Sequence, residues 1–100
     1  SVIKAPYFLS IGENMMLPKD ALVGEEHIPT LTTGDFIKVA LRSQNEDQPT
    51  EKFWVELINR EGNIFKVAVN NDLVHTNHHG IKDKDILYIE KHHILAMLKD

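Results

Sequence analysis

Histidines are concentrated near the end of the chain, where five of the six lie between His75 and His93. His75, His78 and His79 fall within the short stretch "HTNHH", and His92–His93 follow the next apolar run. A catalytic zinc ion takes three such nitrogen ligands plus a water, and each imidazole needs an acceptor that fixes its tautomer. One hypothesis is therefore a metal-dependent enzyme or a metal sensor, with His75, His78, His79 and His93 as the ligands.

The spacing of these histidines favours a plainer interpretation. It matches no established metal-binding motif. Adjacent residues on a strand point to opposite faces, so only one of His92 and His93 could join such a site. We therefore predict a polar loop with solvated histidines and one packed histidine, and we expect no cofactor.

No other set of residues has the pattern of an active site. No serine lies in a Gly-x-Ser-x-Gly motif, the five glycines are dispersed, and cysteine is absent. Glu51 and Glu56 could pair for acid–base chemistry. However, Glu56 within a strand, near Lys38 or Lys66, is typical of a cross-strand ion pair. The sequence therefore predicts a protein that is not an enzyme.

The composition bounds the class of protein and its partners. The chain has 100 residues, of which 42% are apolar and 26% charged, as in a globular domain. A net charge of -4 with scattered basic residues makes duplex nucleic acid a poor partner. The lack of cysteine favours the cytoplasm. No apolar run reaches the roughly 18 residues that span a bilayer, and residues 1–16 do not read as a signal peptide, so we expect no membrane contact.

Alternating apolar residues predict four core strands, at residues 36–42, 52–59, 64–70 and 86–90. A tight turn at residues 60–63 joins the second and third strands, with Gly62 supplying a positive φ. Their predicted inward side chains are Ile37, Val39, Leu41, Phe53, Val55, Leu57, Phe65, Val67, Val69, Leu87 and Ile89.

The flanking segments give weaker patterns. Residues 7–11 fit a short strand. Residues 25–35 are predicted as a connector, because Pro29 and the threonines disfavour a helix. In the C-terminal tail, apolar residues at helical spacing predict one or two helical turns, with Ile94, Leu95 and Leu98 on one side.

Four strands joined by hairpins must close on themselves or pack on another layer to bury one face. We predict a mainly β fold, α+β only at its margins. It is a single domain containing a small, partly open antiparallel β-barrel at residues 34–100, a short C-terminal helical turn, and an N-terminal covering segment at residues 1–33. Asp35 and Asp85 each precede a strand, where a carboxylate can bond the backbone of the preceding turn.

The second faces of the strands are not cleanly polar, and Trp54 is the most informative residue on them. Tryptophan is enriched at interaction hot spots. Trp54 either packs beneath the N-terminal segment or forms a binding surface with Phe36, Tyr88 and Glu56. Such a surface would suit a protein partner, and a further alternative is single-stranded nucleic acid stacked on the aromatic rings.

An acidic loop, formed by Glu46 and Asp47 with Glu51, follows the first core strand. Such a cluster is most often a solvated face. As a binding surface it would complement a basic partner.

Four segments carry a family resemblance: "GDFIKVAL", "EKFWVEL", "GNIFKVAVNND" and "GIKDKDILYIEKHHI". Together they resemble an uncharacterised family of small bacterial β-rich proteins over about residues 34–96, with Trp54 and Glu56 as the most specific match. Leu73 stands where the family pattern has proline, and Lys84 where it has glycine. Some relatives look like toxin-immunity proteins. The resemblance therefore implies a bacterial protein-binding module, such as an inhibitor or immunity factor, and no catalytic residue.

Overall fold

Six strands form one antiparallel sheet in the computed structural model, which describes residues 2–100. The strands are β1 (Tyr7–Leu9), β2 (Phe36–Ser43), β3 (Glu51–Glu61), β4 (Ile64–Val69), β5 (Ile86–Glu90) and β6 (Ala96–Leu98). Two 3-10 turns, Glu25–Thr30 and Lys91–His93, and one short helix, α1 (Thr76–His79), lie between them. Within the described residues, no helix is long and apolar enough to cross a membrane.

The sheet curls because both ends of the chain return to β2. The strand order is β1-β2-β3-β4-β5, and β6 also pairs with β2. β1 covers one end of β2 through Tyr7 opposite Ser43, and β6 covers the other end through Met97 opposite Ile37. The result is a nearly closed barrel, so the prediction of a small, mainly β fold with a barrel-shaped sheet is confirmed.

The core lies on the inner face of the barrel, where the predicted alternation is confirmed. Each predicted inward side chain is at most 5% exposed. Burying an aliphatic or aromatic side chain of this size stabilises a fold by about 1.5–3 kcal/mol relative to leaving it exposed. The N-terminal third adds Tyr7, Ile28 and Leu31 to this core, so it contributes packing as well as an edge strand.

Two local predictions are corrected by the structure. Residues 25–30 form a 3-10 turn, although the sequence predicts a connector; its backbone bonds from His27 to Gly24 and from Leu31 to Ile28 do not use the nitrogen of Pro29. The C-terminal helical turn is present at Lys91–His93, but the residues after it form β6 instead of continuing the helix. Met97 bonds Leu22 in both directions at 2.8 Å, and this strand pairing overrides the helical spacing.

The two strand-entry aspartates bond the preceding turns as predicted. An Asp35 carboxylate oxygen accepts the backbone N–H of Thr32 at 2.9 Å, and an Asp85 oxygen accepts that of Lys82 at 3.0 Å. The same turn therefore starts β2 and β5.

Lys84 occupies an unfavourable backbone conformation in the second of these turns. Its φ is 73°, and Gly34 at the matching position has φ 95°. A non-glycine residue in the left-handed region costs about 1–2 kcal/mol. We expect Lys84→Gly to raise the free energy of unfolding by about 1 kcal/mol, after allowing for the added freedom of the unfolded chain. Urea denaturation measures this, with Lys84→Ala as the control that keeps the strain. Equal stability of the two variants would contradict it.

Candidate functional site

The outer face of the barrel carries an apolar row with one acid at its centre. Cross-strand neighbours follow each other from β6 to β5 without interruption. In that order they are Leu98, Phe36, Glu56, Ala68 and Ile86. Ile86 is 38% exposed and the other members are half-buried. Two of the sequence-predicted binding residues, Phe36 and Glu56, are thus direct neighbours.

Trp54 lies on the same outer face, next to this row. It is half-buried, and the Lys38 ammonium stands 5.0 Å from the centre of its ring, within the range of a cation–π contact. Burial lowers the pKa of Lys38, and the nearby charge of Lys52 adds to this effect. The backbone N–H of Trp54 donates to the Asn71 side chain at 2.7 Å, which fixes the strand under the ring.

The N-terminal segment covers only the neighbouring part of this face. The N–H of Ser10 donates to the carbonyl of Ala40 at 2.9 Å, and Ala40 is fully buried. The Lys52 ammonium donates to the backbone carbonyl of Asn14. Trp54 itself is half-buried, so it is neither sealed beneath the segment nor fully exposed.

Tyr88 stands apart from the other aromatic residues, on the edge strand β5. It is 65% exposed, pairs with Lys66 across the sheet, and borders a shallow cleft of about 400 Å³. Along the curled sheet, three strand spacings lie between β2 and β5, which is a path of about 14 Å at the usual strand separation. The structure therefore places all four predicted binding residues on one outer face, with Phe36, Trp54 and Glu56 together and Tyr88 at its margin.

A buried hydrogen-bond network joins Glu51 at the start of β3 to His79 in α1. His79 is fully buried, and its Nε2 lies 2.8 Å from the Glu51 carboxylate. Its Nδ1 accepts the N–H of Ile81 at 3.1 Å, so the ring proton belongs on Nε2, which donates to Glu51. The ring of Tyr7 packs edge-on against the imidazole at 5.7 Å.

Glu51 also holds the loop that leads into α1. Its two oxygens accept the backbone N–H groups of Val74 and His75 at 2.8 and 2.9 Å. Burial alone would raise the pKa of Glu51, but the hydrogen bonds from His79 and from these amides outweigh it and the pKa is lowered. Both nitrogens of His79 are hydrogen-bonded, so the pair anchors the α1 segment to the start of β3.

The acidic-loop prediction is wrong for Glu51, which is only 8% exposed and already bound on both oxygens. Only Glu46 and Asp47 of that cluster are exposed. The loop cannot present three carboxylates to a basic partner.

The other candidate metal ligands lie in two segments: His75 and His78 at α1, and His93 in the 3-10 turn before β6. The rings of His75 and His78 are 6.0 Å apart, and those of His92 and His93 are 4.2 Å apart. His93 accepts the backbone N–H of Glu90 at 3.0 Å; burial lowers its pKa, His92 lowers it further, and Glu90 opposes the shift. Among residues 2–100, no group of three or more His, Asp or Glu side chains is arranged to hold a metal ion. The metal hypothesis on His75, His78, His79 and His93 has no geometric support here.

A cleft of about 510 Å³ lies between residues 11–28 and 91–95. Its charged side chains are already paired: Glu13 with Arg42 at 2.6 Å and Glu25 with Lys91 at 2.7 Å. The bond from Arg42 lowers the pKa of Glu13 to about 2. These pairs tie the N-terminal segment to the barrel.

Searches against protein-family models, curated proteins and solved structures find no match to this chain. The resemblance to small bacterial proteins stays a prediction.

Proposed function

We propose that this protein is a non-enzymatic module that binds another protein through the outer face around Trp54, Phe36 and Glu56, with Tyr88 at its margin. The observation that carries the proposal is the half-buried Trp54 on the outer face. Its backbone N–H is bonded to Asn71, and the Lys38 ammonium lies 5.0 Å from the centre of its ring. Rigid aromatic side chains beside apolar neighbours are typical of the central residues of interfaces. A bacterial inhibitor or immunity factor acting in the cytoplasm is one form of this function.

The buried and paired carboxylates support a binding role, because each has a structural task. Glu13 ties the N-terminal segment to Arg42, Glu51 anchors the α1 loop, and Asp35 binds the turn before β2. Glu56 stands in the middle of the apolar outer-face row, where it would fix the orientation of a partner that carries a basic or hydrogen-donating group.

The test is capture of partners from an extract of the native host, with chemical cross-linking. We expect Trp54→Ala to weaken capture about 30-fold or more, because truncating a hot-spot residue costs at least about 2 kcal/mol of binding. Val74→Ala is the matched control, since Val74 is 75% exposed but lies on the α1 loop. Equal capture by both variants would contradict the proposal.

Single-stranded nucleic acid is a second candidate, favoured by one observation. Two of the three outer-face aromatic residues stand beside a lysine, Trp54 with Lys38 and Tyr88 with Lys66. Stacked bases and a cationic surface are the usual elements of such binding. The fluorescence of Trp54, the only tryptophan, would be quenched by a short oligonucleotide, and this quenching would weaken with salt. No quenching at low salt excludes this candidate and leaves the protein-binding proposal unaffected.

A further inference from the structure

The strand β5 has one edge without a neighbouring strand. Val69 donates to the carbonyl of Asp85 at 2.8 Å, so the alternation of an antiparallel pair directs the backbone groups of Leu87 and Ile89 to β4. The N–H and C=O groups of Ile86 and Tyr88 point the other way. Within residues 2–100 no backbone group bonds them there.

Space and exposure are both available along this edge. Tyr88 is 65% exposed and Ile86 is 38% exposed. An open cleft of about 720 Å³ lies between these residues and Val2–Ile3. At the C-terminal end of β5 the N–H of Glu90 already donates to His93 at 3.0 Å, so this group cannot pair with a further strand.

The sequence of this edge is complementary to itself in the antiparallel direction. When β5 meets the same strand of a second copy with Leu87 opposite Leu87, Ile86 lies opposite Tyr88 and Lys84 opposite Glu90. Each of these pairs occurs twice by symmetry. The Lys84 side chain is 88% exposed, with its ammonium 3.4 Å from Asp83, and Glu90 is exposed, with its carboxylate accepting the backbone N–H of His93. Both charges lie at the surface, so the cation of one copy can approach the anion of the other at each end of the edge.

We propose that β5 is a dimerisation edge, which joins two copies of this chain about a two-fold axis at Leu87 into one continuous sheet. The two Ile86–Tyr88 pairs supply four backbone hydrogen bonds and place Ile86 beside Tyr88 of the second copy. A two-fold axis brings the same strand of the two copies together, and two-fold symmetry is the commonest symmetry of homodimers. This inference concerns the edge of the sheet: it shares Tyr88 with the margin of the proposed binding surface but does not involve Trp54, Phe36 or Glu56.

The dimer is expected to be weak and reversible. Interfaces below about 1,200 Å² are usually transient, and a five-residue edge with two charge pairs falls in that class. We expect a dissociation constant of about 100 µM.

Sedimentation equilibrium tests the proposal on the full chain. We expect the average mass to rise from 11.4 kDa toward twice that value as the concentration approaches about 1 mM. Over the same range, the amide NMR signals of Ile86 and Tyr88 should shift more than those of Leu87 and Ile89, because only the outward amides gain a bond.

Charge reversal identifies the interface. Lys84→Glu places two like-charge pairs at the edge and should weaken association roughly tenfold, and the double variant K84E/E90K should restore it. Melting temperatures confirm that each variant is folded. The proposal would be overturned if the wild-type mass stayed at 11.4 kDa at every concentration. It would also be overturned if Lys84→Glu associated as strongly as the wild type, or if the double variant failed to regain wild-type association. None of these results bears on partner capture through Trp54.

Discussion

Glu51→Ala is expected to lower the free energy of unfolding by about 3–5 kcal/mol. The reason is that one side chain accepts three hydrogen bonds, from the partly buried N–H groups of Val74 and His75 and from the buried Nε2–H of His79. Each buried donor left without a partner costs about 1–3 kcal/mol. Urea denaturation at neutral pH measures the loss.

Two further variants separate the network from its surroundings. Glu46→Ala changes an exposed carboxylate of the preceding loop and should alter stability by less than about 0.5 kcal/mol. Glu51→Gln keeps one acceptor oxygen, so it should fall between Glu51→Ala and the wild type. A loss below about 1 kcal/mol in Glu51→Ala would show that the network contributes little to the fold.

Acid should destabilise the protein by several kcal/mol between about pH 5 and pH 2. The pKa values of Glu13, Asp35 and Glu51 are all lowered in the folded state, that of Glu13 from 4.5 to about 2. Asp35 resembles Glu51: burial opposes its lower pKa, and bonds from Lys99, Asp100 and Thr32 outweigh it. A tenfold difference in proton affinity between the folded and unfolded protein corresponds to about 1.4 kcal/mol of stability.

The sign follows from proton binding. A carboxylate with a lowered pKa binds its proton less readily when folded, so its stabilisation is complete above the unfolded-state pKa and is lost as the pH falls toward the folded-state pKa. Urea midpoints measured from pH 7 to pH 2 should therefore be constant at first and then fall. Glu51→Gln removes one titrating group and should flatten the fall. A wild-type stability that stays constant down to pH 2 would contradict this prediction.

The inner face of the barrel could be predicted because its signal is local. Ile37, Val55, Val67 and Ile89 sit in runs that alternate with period two, and that alternation by itself places them on one side of a strand. The aspartate turns could also be predicted, because Asp35 bonds a residue only three positions before it. Both features are contained in short windows of sequence.

The Glu51–His79 network could not be predicted, because its members are 28 residues apart and meet only when β3 and α1 pack together. The sequence predicts one packed histidine in the loop but does not indicate that it is His79. One sequence signal could have indicated the network: Glu51 stands at the start of an apolar strand, and a carboxylate that is buried there needs hydrogen-bond partners. β6 was missed for a similar reason, since its pairing partners Leu22 and Ile37 are distant in the chain.

The most direct test compares Trp54→Ala and Glu51→Gln in two measurements on the same samples, the melting temperature and the capture of partners from host extract. If the outer face binds and the buried acid only supports the fold, Trp54→Ala loses capture at a temperature at which its melting curve shows that it is still folded, although the loss of a half-buried ring lowers its melting temperature. Glu51→Gln then melts lower but captures normally in the cold. The opposite pattern, with capture retained by Trp54→Ala and lost by a folded Glu51→Gln, would contradict both assignments.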